Sequence, residues 1–170
     1  VNYKIVSFAT DDDYQRYASR LSKNLDELGA DYVIETVPSD RTKQEHCLYK
    51  PGCIKKYLTD KPVLWLDVDS LLKDIPILPS SGFDVGFCRN PWKTLPITAA
   101  AIYFSPSRNG HQFLQSWKRL CGQWKEGQKA DHWRLCQIRN KSDHKELDIT
   151  PMLRNKLIVF GVGGKDVRPV

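Results

Sequence analysis

No stretch of this 170-residue sequence is long and apolar enough to cross a bilayer: the longest apolar runs reach about five to seven residues, where a spanning helix takes about 20. The opening VNYKIVSFAT alternates like a strand and lacks the h-region and small-residue cleavage site of a signal peptide. Repeats and low-complexity tracts are missing as well, so nothing points to a repeat architecture. The five cysteines (Cys47, Cys53, Cys88, Cys121 and Cys136) form no C-x-x-C pair and have no zinc-finger histidine spacing. An odd set of this kind reads as free thiols in a reducing compartment. Together these absences predict a cytoplasmic chain without membrane insertion.

The length suits one domain with a core of its own, and 41% hydrophobic against 27% charged residues is an ordinary globular composition. The net charge of +6 is unevenly spread. Residues 1–85 hold 11 basic and 14 acidic side chains, net −3, whereas residues 86–145 hold 11 and 3, net +8. That second stretch also carries Trp92, Trp117, Trp124 and Trp133. Basic residues interleaved with aromatics suit a polyanion, with charges for phosphates and flat rings for bases or sugars. The same pattern also suits a solvated helix face over core tryptophans.

Residues 3–9 read as a buried strand, and Asp11 to Asp13 offer an N-cap for a helix whose Tyr14, Tyr17, Ala18, Leu21, Leu25 and Leu28 form one stripe ending at Gly29. Residues 32–37 are the next strand, closed by Pro38; strand, helix, strand implies parallel pairing. Pro51 suits the first turn of a second helix that presents Ile54, Tyr57 and Leu58 to the sheet. Residues 63–66 (VLWL) lack alternation, as a strand covered on both faces should. Further strands are expected at 84–88, 98–104 and 157–160, with helices at about 107–125 and 131–138. The pattern is α/β with a mostly parallel sheet in one domain.

VLWL runs straight into Asp67-Val68-Asp69. Carboxylates at i and i+2 point the same way if the chain leaves the strand extended, at the sheet end where open α/β folds place ligands. Hard oxygen ligands there suit Mn²⁺ or Mg²⁺ bridging to a diphosphate.

The run KPVLWLDVDSLLKDIP resembles the metal-binding segment of nucleotide-sugar-dependent glycosyltransferases with the GT-A fold. Supporting context comes from KIVSFAT, YKPGCIKKYL, GFDVGFC, AAAIYFSPS and a D-H-W segment near 131, so the likeness covers roughly residues 3–138. It implies a single GT-A-like, Rossmann-like domain with a central mostly parallel sheet flanked by helices, about 1–85 forming the donor half and about 86–170 the acceptor half. It also implies that Asp67 and Asp69 hold the metal and the donor diphosphate, and that Phe8, Ala9 and Thr10 line the nucleotide base and ribose. Lys50 stands where such enzymes place a cation near the donor; it also reads as an exposed lysine before a helix.

The tail departs from that family. Where many members carry a His before a Gly, this chain reads VFGVGG with Phe160 before Gly161, leaving no third protein ligand for the metal. Gly161, Gly163 and Gly164 with Lys165 suit either a diphosphate loop or a terminal turn. Asp131 is the candidate general base for an inverting transfer, or the cap of the helix that it begins. His132 is a secondary candidate for the acceptor side, and Trp92, in N-P-W-K-T-L-P, for stacking near the acceptor. His46, His111 and His144 are scattered and read as ordinary residues.

The expected activity is metal-dependent transfer of a sugar from a nucleotide-diphosphate sugar to the hydroxyl of a polyanionic acceptor. Hydroxymethylated DNA bases are one such acceptor and an acidic or phosphorylated glycan another. A non-catalytic nucleic-acid-binding module is a competing class, but it has little use for two carboxylates at the ligand edge. A nucleotidyltransferase is another, but it calls for a further acid and for glycines that FATDDDY lacks.

Overall fold

The computed structural model describes residues 2–11, 14–40, 42–89, 97–125, 128, 131–154, 157–160 and 167–169, with backbone alone at 43, 131–133, 157–160 and 167–169. Strand β3 (Val63–Leu66) is buried at every position. Val63 and Trp65 face one apolar cluster while Leu64 and Leu66 face another, as its unbroken apolar run demands. Beside it run β1 (Lys4–Thr10) and β2 (Tyr32–Val37), both parallel, linked by α1 (Gln15–Glu27). On the other side lie β6 (Ile97–Phe104), β5 (Val85–Arg89) and β7 (Glu146–Asp148). The sheet order is β2-β1-β3-β6-β5-β7, and among the described residues only β6 opposes the rest. A short second sheet joins β4 (Ser70–Leu72) to β8 (Leu157–Phe160) and β9 (Val167–Pro169).

Helices cover both faces. Tyr17, Leu21 and Leu25 of α1 pack into one cluster with Ile5, Leu64, Leu66 and Tyr103, which is the stripe expected from their spacing. That helix ends as its glycine predicts: Gly29 takes φ 63°, its N–H donates to Asp26, and the Ala30 N–H donates to Leu25. The other face is covered by α2 (Lys43–Tyr57), α3 (Arg108–Gly122) and α4 (Asp131–Arg139), through Cys53, Ile54, Phe113, Leu114, Trp117 and Leu135. A last short helix, α5 (Thr150–Leu153), buries Leu153.

Several expectations need correction. Helix α2 begins eight residues before Pro51, which lies inside it. A capping box sets the start: the Thr42 hydroxyl accepts from the Glu45 N–H, and the Glu45 carboxylate accepts from the Thr42 N–H. Asp11 does not cap α1; the N-cap residue is Tyr14, without a side-chain bond, and Asp11 Oδ1 accepts instead from the Ser39 N–H at 2.7 Å. Asp12 and Asp13 lie outside the described residues. Strands β4 and β7 and helix α5, each three or four residues long, were too short for any periodicity to show.

Candidate active site

The C-terminal ends of β1, β2 and β3 share one edge of the sheet because the three strands are parallel. Asp67 follows β3 there, pinned on both sides of its backbone: its N–H donates to Ala100 at 2.8 Å, and its carbonyl accepts from the Ser70 N–H at 3.0 Å. The second bond closes a turn with Val68 and Asp69 at its centre, so the chain does not leave the strand extended and the i, i+2 argument for co-facing carboxylates fails. Both carboxylates are half-buried at the edge.

The Asp67 Oδ1 oxygen takes two donors, the Lys50 ammonium at 2.8 Å and the Trp65 indole N–H at 2.9 Å. Lys50 is neither exposed nor ahead of a helix. It sits within α2 with its side chain 6% accessible, against 26% for Asp67, and its ammonium also reaches the Ala99 carbonyl at 3.5 Å. Phe8 packs at 5.5 Å on Trp65 and edge-on to Tyr49 at 5.6 Å, giving the pair an aromatic flank. Ala9 is turned into the core under α1 and is buried. Thr10 is buried, and its carbonyl accepts from the Gln15 amide at 2.6 Å.

Below Phe8, Glu35 accepts from Lys56, from the Tyr57 hydroxyl at 2.6 Å and from Tyr49 at 3.5 Å. Burial pushes its carboxyl pKa up, but the Lys56 and Tyr57 hydrogen bonds and the Lys56 charge outweigh burial and hold it below the usual range. Sequence reasoning missed this cluster, whose members are scattered over β2 and α2.

The start of α4 lies at the same edge as Asp67: β6 descends, α3 climbs back, and α4 descends toward β7. Cys136, in its second turn, meets the backbone of Ile97 at the upper end of β6. The backbone of Asp131 and His132 is therefore on the Asp67 edge, while their side chains, like Trp92 and Lys165, lie outside the described residues. Of the other tryptophans in the basic stretch, Trp117 is core, stacked on Phe104 at 6.5 Å, and Trp124 donates its indole N–H to the Gln128 carbonyl at 3.0 Å. The cysteines are free, and burial pushes the Cys53 and Cys88 thiols up to about 12, out of reach of thiolate chemistry. His144 is wedged against Phe87 and Phe113, an ordinary core role.

Among the described residues no group of three or more His, Cys, Asp or Glu side chains gathers to hold a metal. Two carboxylates with diphosphate and water are a donor set that a magnesium-like ion accepts.

The chain is a Rossmann-like α/β domain of the kind found in glycosyltransferases. It is similar to a glycosyltransferase involved in the glycosylation of the major capsid of PBCV-1, with 13% identity and a TM-score of 0.70 over 98% of this chain and 95% of that one. It is also similar to the glycosyltransferase GlyE of Streptococcus pneumoniae TIGR4 in two structures, one of them the apo form, at 13% and 14% identity and a TM-score of 0.59. Those matches cover 86% of this chain and 45% of GlyE, so the chain spans less than half of that protein. No family model matches the sequence, and no curated protein matches it.

Proposed function

We propose that this protein is a metal-dependent glycosyltransferase of the GT-A kind, using a nucleotide-diphosphate sugar. The observation that carries the reading is the Asp67–Lys50 pair beside Asp69 at the C-terminal edge of β3, in a fold shared with glycosyltransferases. In this reading the base and ribose lie over the ends of β1 at Phe8, Ala9 and Thr10. Asp67 orients the donor, Asp69 with Asp67 holds Mn²⁺ or Mg²⁺, and Lys165 adds a cation to the diphosphate. The bound ion would neutralise charge gathering on the departing diphosphate. The sugar C1–O bond to the diphosphate breaks as the acceptor oxygen bonds to C1, and Asp131 takes the acceptor proton. Lys50, buried behind Asp67, sets its ammonium on the leaving-group side of the site.

The acceptor proposed is polyanionic. Of the cations in the basic stretch, Arg89 and Arg139 pair with Asp148 and Glu146, and Arg134 is buried. Exposed Lys118 and Arg119 in the second half of α3 and Lys125 beyond it remain toward the Asp67 edge, with Trp92 and His132 assigned to the acceptor. Hydroxymethylated DNA and an acidic or phosphorylated glycan are the two acceptors to compare. Acceptor binding is expected to fall steeply with salt; affinity that stays flat from low to moderate salt rejects a polyanion. For the enzyme class, the test is nucleoside diphosphate binding by calorimetry with and without Mn²⁺. Metal-enhanced binding that Asp69→Asn abolishes supports the site, and equal binding by the variant removes the metal assignment.

A further inference from the structure

Trp65 is the tryptophan outside the basic stretch, and its surroundings differ from those of a core indole. Its ring is buried in β3 and packs against Phe8, yet its one polar atom donates to Asp67 Oδ1 at 2.9 Å. The Lys50 ammonium lies 5.7 Å from the centre of the same ring and 2.8 Å from the same carboxylate oxygen. Burial alone does not force such a bond here. Trp117 is equally buried, and its indole nitrogen has no hydrogen-bond partner among the described residues. Trp65 and Asp67 meet because they are two residues apart at the end of a strand, both on the α2 side of the sheet.

We propose that Trp65 is a positioning residue of the transfer site. Its N–H orients the Asp67 carboxylate while its ring face seats the Lys50 ammonium, so the nucleotide sugar meets both groups already arranged and loses less freedom on binding. Neither Phe nor Leu at this position supplies the N–H, although both fill the core. The inference rests on the glycosyltransferase reading above, and it gives a residue with no expected donor contact an effect on donor affinity.

The test is Trp65→Phe, which keeps a ring under Lys50 and removes the donor to Asp67. The expected result is a donor KM raised about tenfold with kcat little changed, since the lost bond serves a charged group that holds ground state and transition state alike. Added to Asp67→Asn, the same change is expected to do almost nothing further. A merely structural role lowers the melting temperature and leaves donor KM alone. Should Trp65→Phe fail to fold, the indole N–H proton of Trp65 in an NMR spectrum replaces it. That resonance is expected to move when Asp67→Asn weakens the acceptor, and again when a nucleoside diphosphate binds the unmodified protein. An unchanged donor KM in folded Trp65→Phe, or an indole resonance indifferent to Asp67→Asn, overturns the inference while the enzyme class stands. No nucleotide release from any donor by the unmodified protein overturns both.

Discussion

Lys50 shows what a single residue gains from its place in the fold. Its nearly inaccessible ammonium is surrounded by Asp67, the Ala99 carbonyl and the Trp65 ring. Removing one partner strands the other. Lys50→Met is expected to cost about 1–2 kcal/mol in urea unfolding, less than a fully buried pair because Asp67 keeps contact with water. In the proposed function the same variant also weakens nucleotide-sugar binding, whereas Lys55→Met, on the same helix but bonded at the surface to Gln115, leaves it unchanged. That Asp67 and Asp69 stand just past the C-terminal end of β3 was legible from VLWL. Lys50 was half legible, because Pro51 drew the helix start to the wrong residue. The role proposed for Trp65 was unreadable, since inside an apolar run it has the same signature as a core residue and only the folded chain shows its nitrogen on Asp67.

Elements in this protein are held at their ends by polar side chains. Thr42 and Glu45 start α2, and Thr42→Ala is expected to cost about 1 kcal/mol in thermal or urea unfolding. T-x-x-E stands at residues 42–45, a start signal that the reading from Pro51 missed. Asp84 anchors the start of α3 and of β7 together: it accepts from Ser107 at 2.5 Å, from Asn109 at 3.4 Å and from the Lys145 N–H at 2.7 Å. Burial pushes its pKa up, but the Lys145 N–H and the Ser107 and Asn109 donors outweigh burial and hold it below the ordinary value. A depressed carboxyl contributes stability that is present above the unfolded pKa, about 4, and is lost as pH falls through the folded value. The stability gap between the unmodified protein and Asp84→Asn is therefore expected to be widest near neutral pH and to close below about pH 4, measured by urea unfolding across pH; a gap that widens in acid contradicts this. Within the same turn, a Cβ at Gly110 would lie 2.4 Å from the Ser105 carbonyl oxygen. Gly110→Ala is expected to lose about 1–3 kcal/mol despite the better helix propensity of alanine. Strand β7, invisible by pattern, is fastened by the two-pronged Arg139–Glu146 pair at 2.6 and 2.7 Å.

Across the whole molecule, the readable part of the fold was the part written in apolar patterns of four residues or more: β1, α1, β2, β3, β5, β6, α3, α4 and β8. The reversed strand of the six-stranded sheet, β6, was not legible, because direction depends on which neighbours a strand finds and not on its own residues. The charge asymmetry also changed meaning once folded. A net +8 confined to residues 86–145 looks like one basic surface in the sequence. In three dimensions Arg89 and Arg139 pair with the edge strand β7, Arg108 starts α3 at the end of the sheet away from Asp67, and Lys118, Arg119 and Lys125 lie toward the site. The acidic half, meanwhile, brings Asp67 and Asp69 to the edge where the donor is proposed to sit. The central claim is sugar transfer from a nucleotide donor at that edge. Its most direct test is release of nucleoside diphosphate from a panel of nucleotide sugars in the presence of Mn²⁺, for the unmodified protein and for Asp69→Asn. The account predicts release from at least one donor and a loss of about a hundredfold or more in the variant. No release from any donor, or release that survives Asp69→Asn intact, would contradict it.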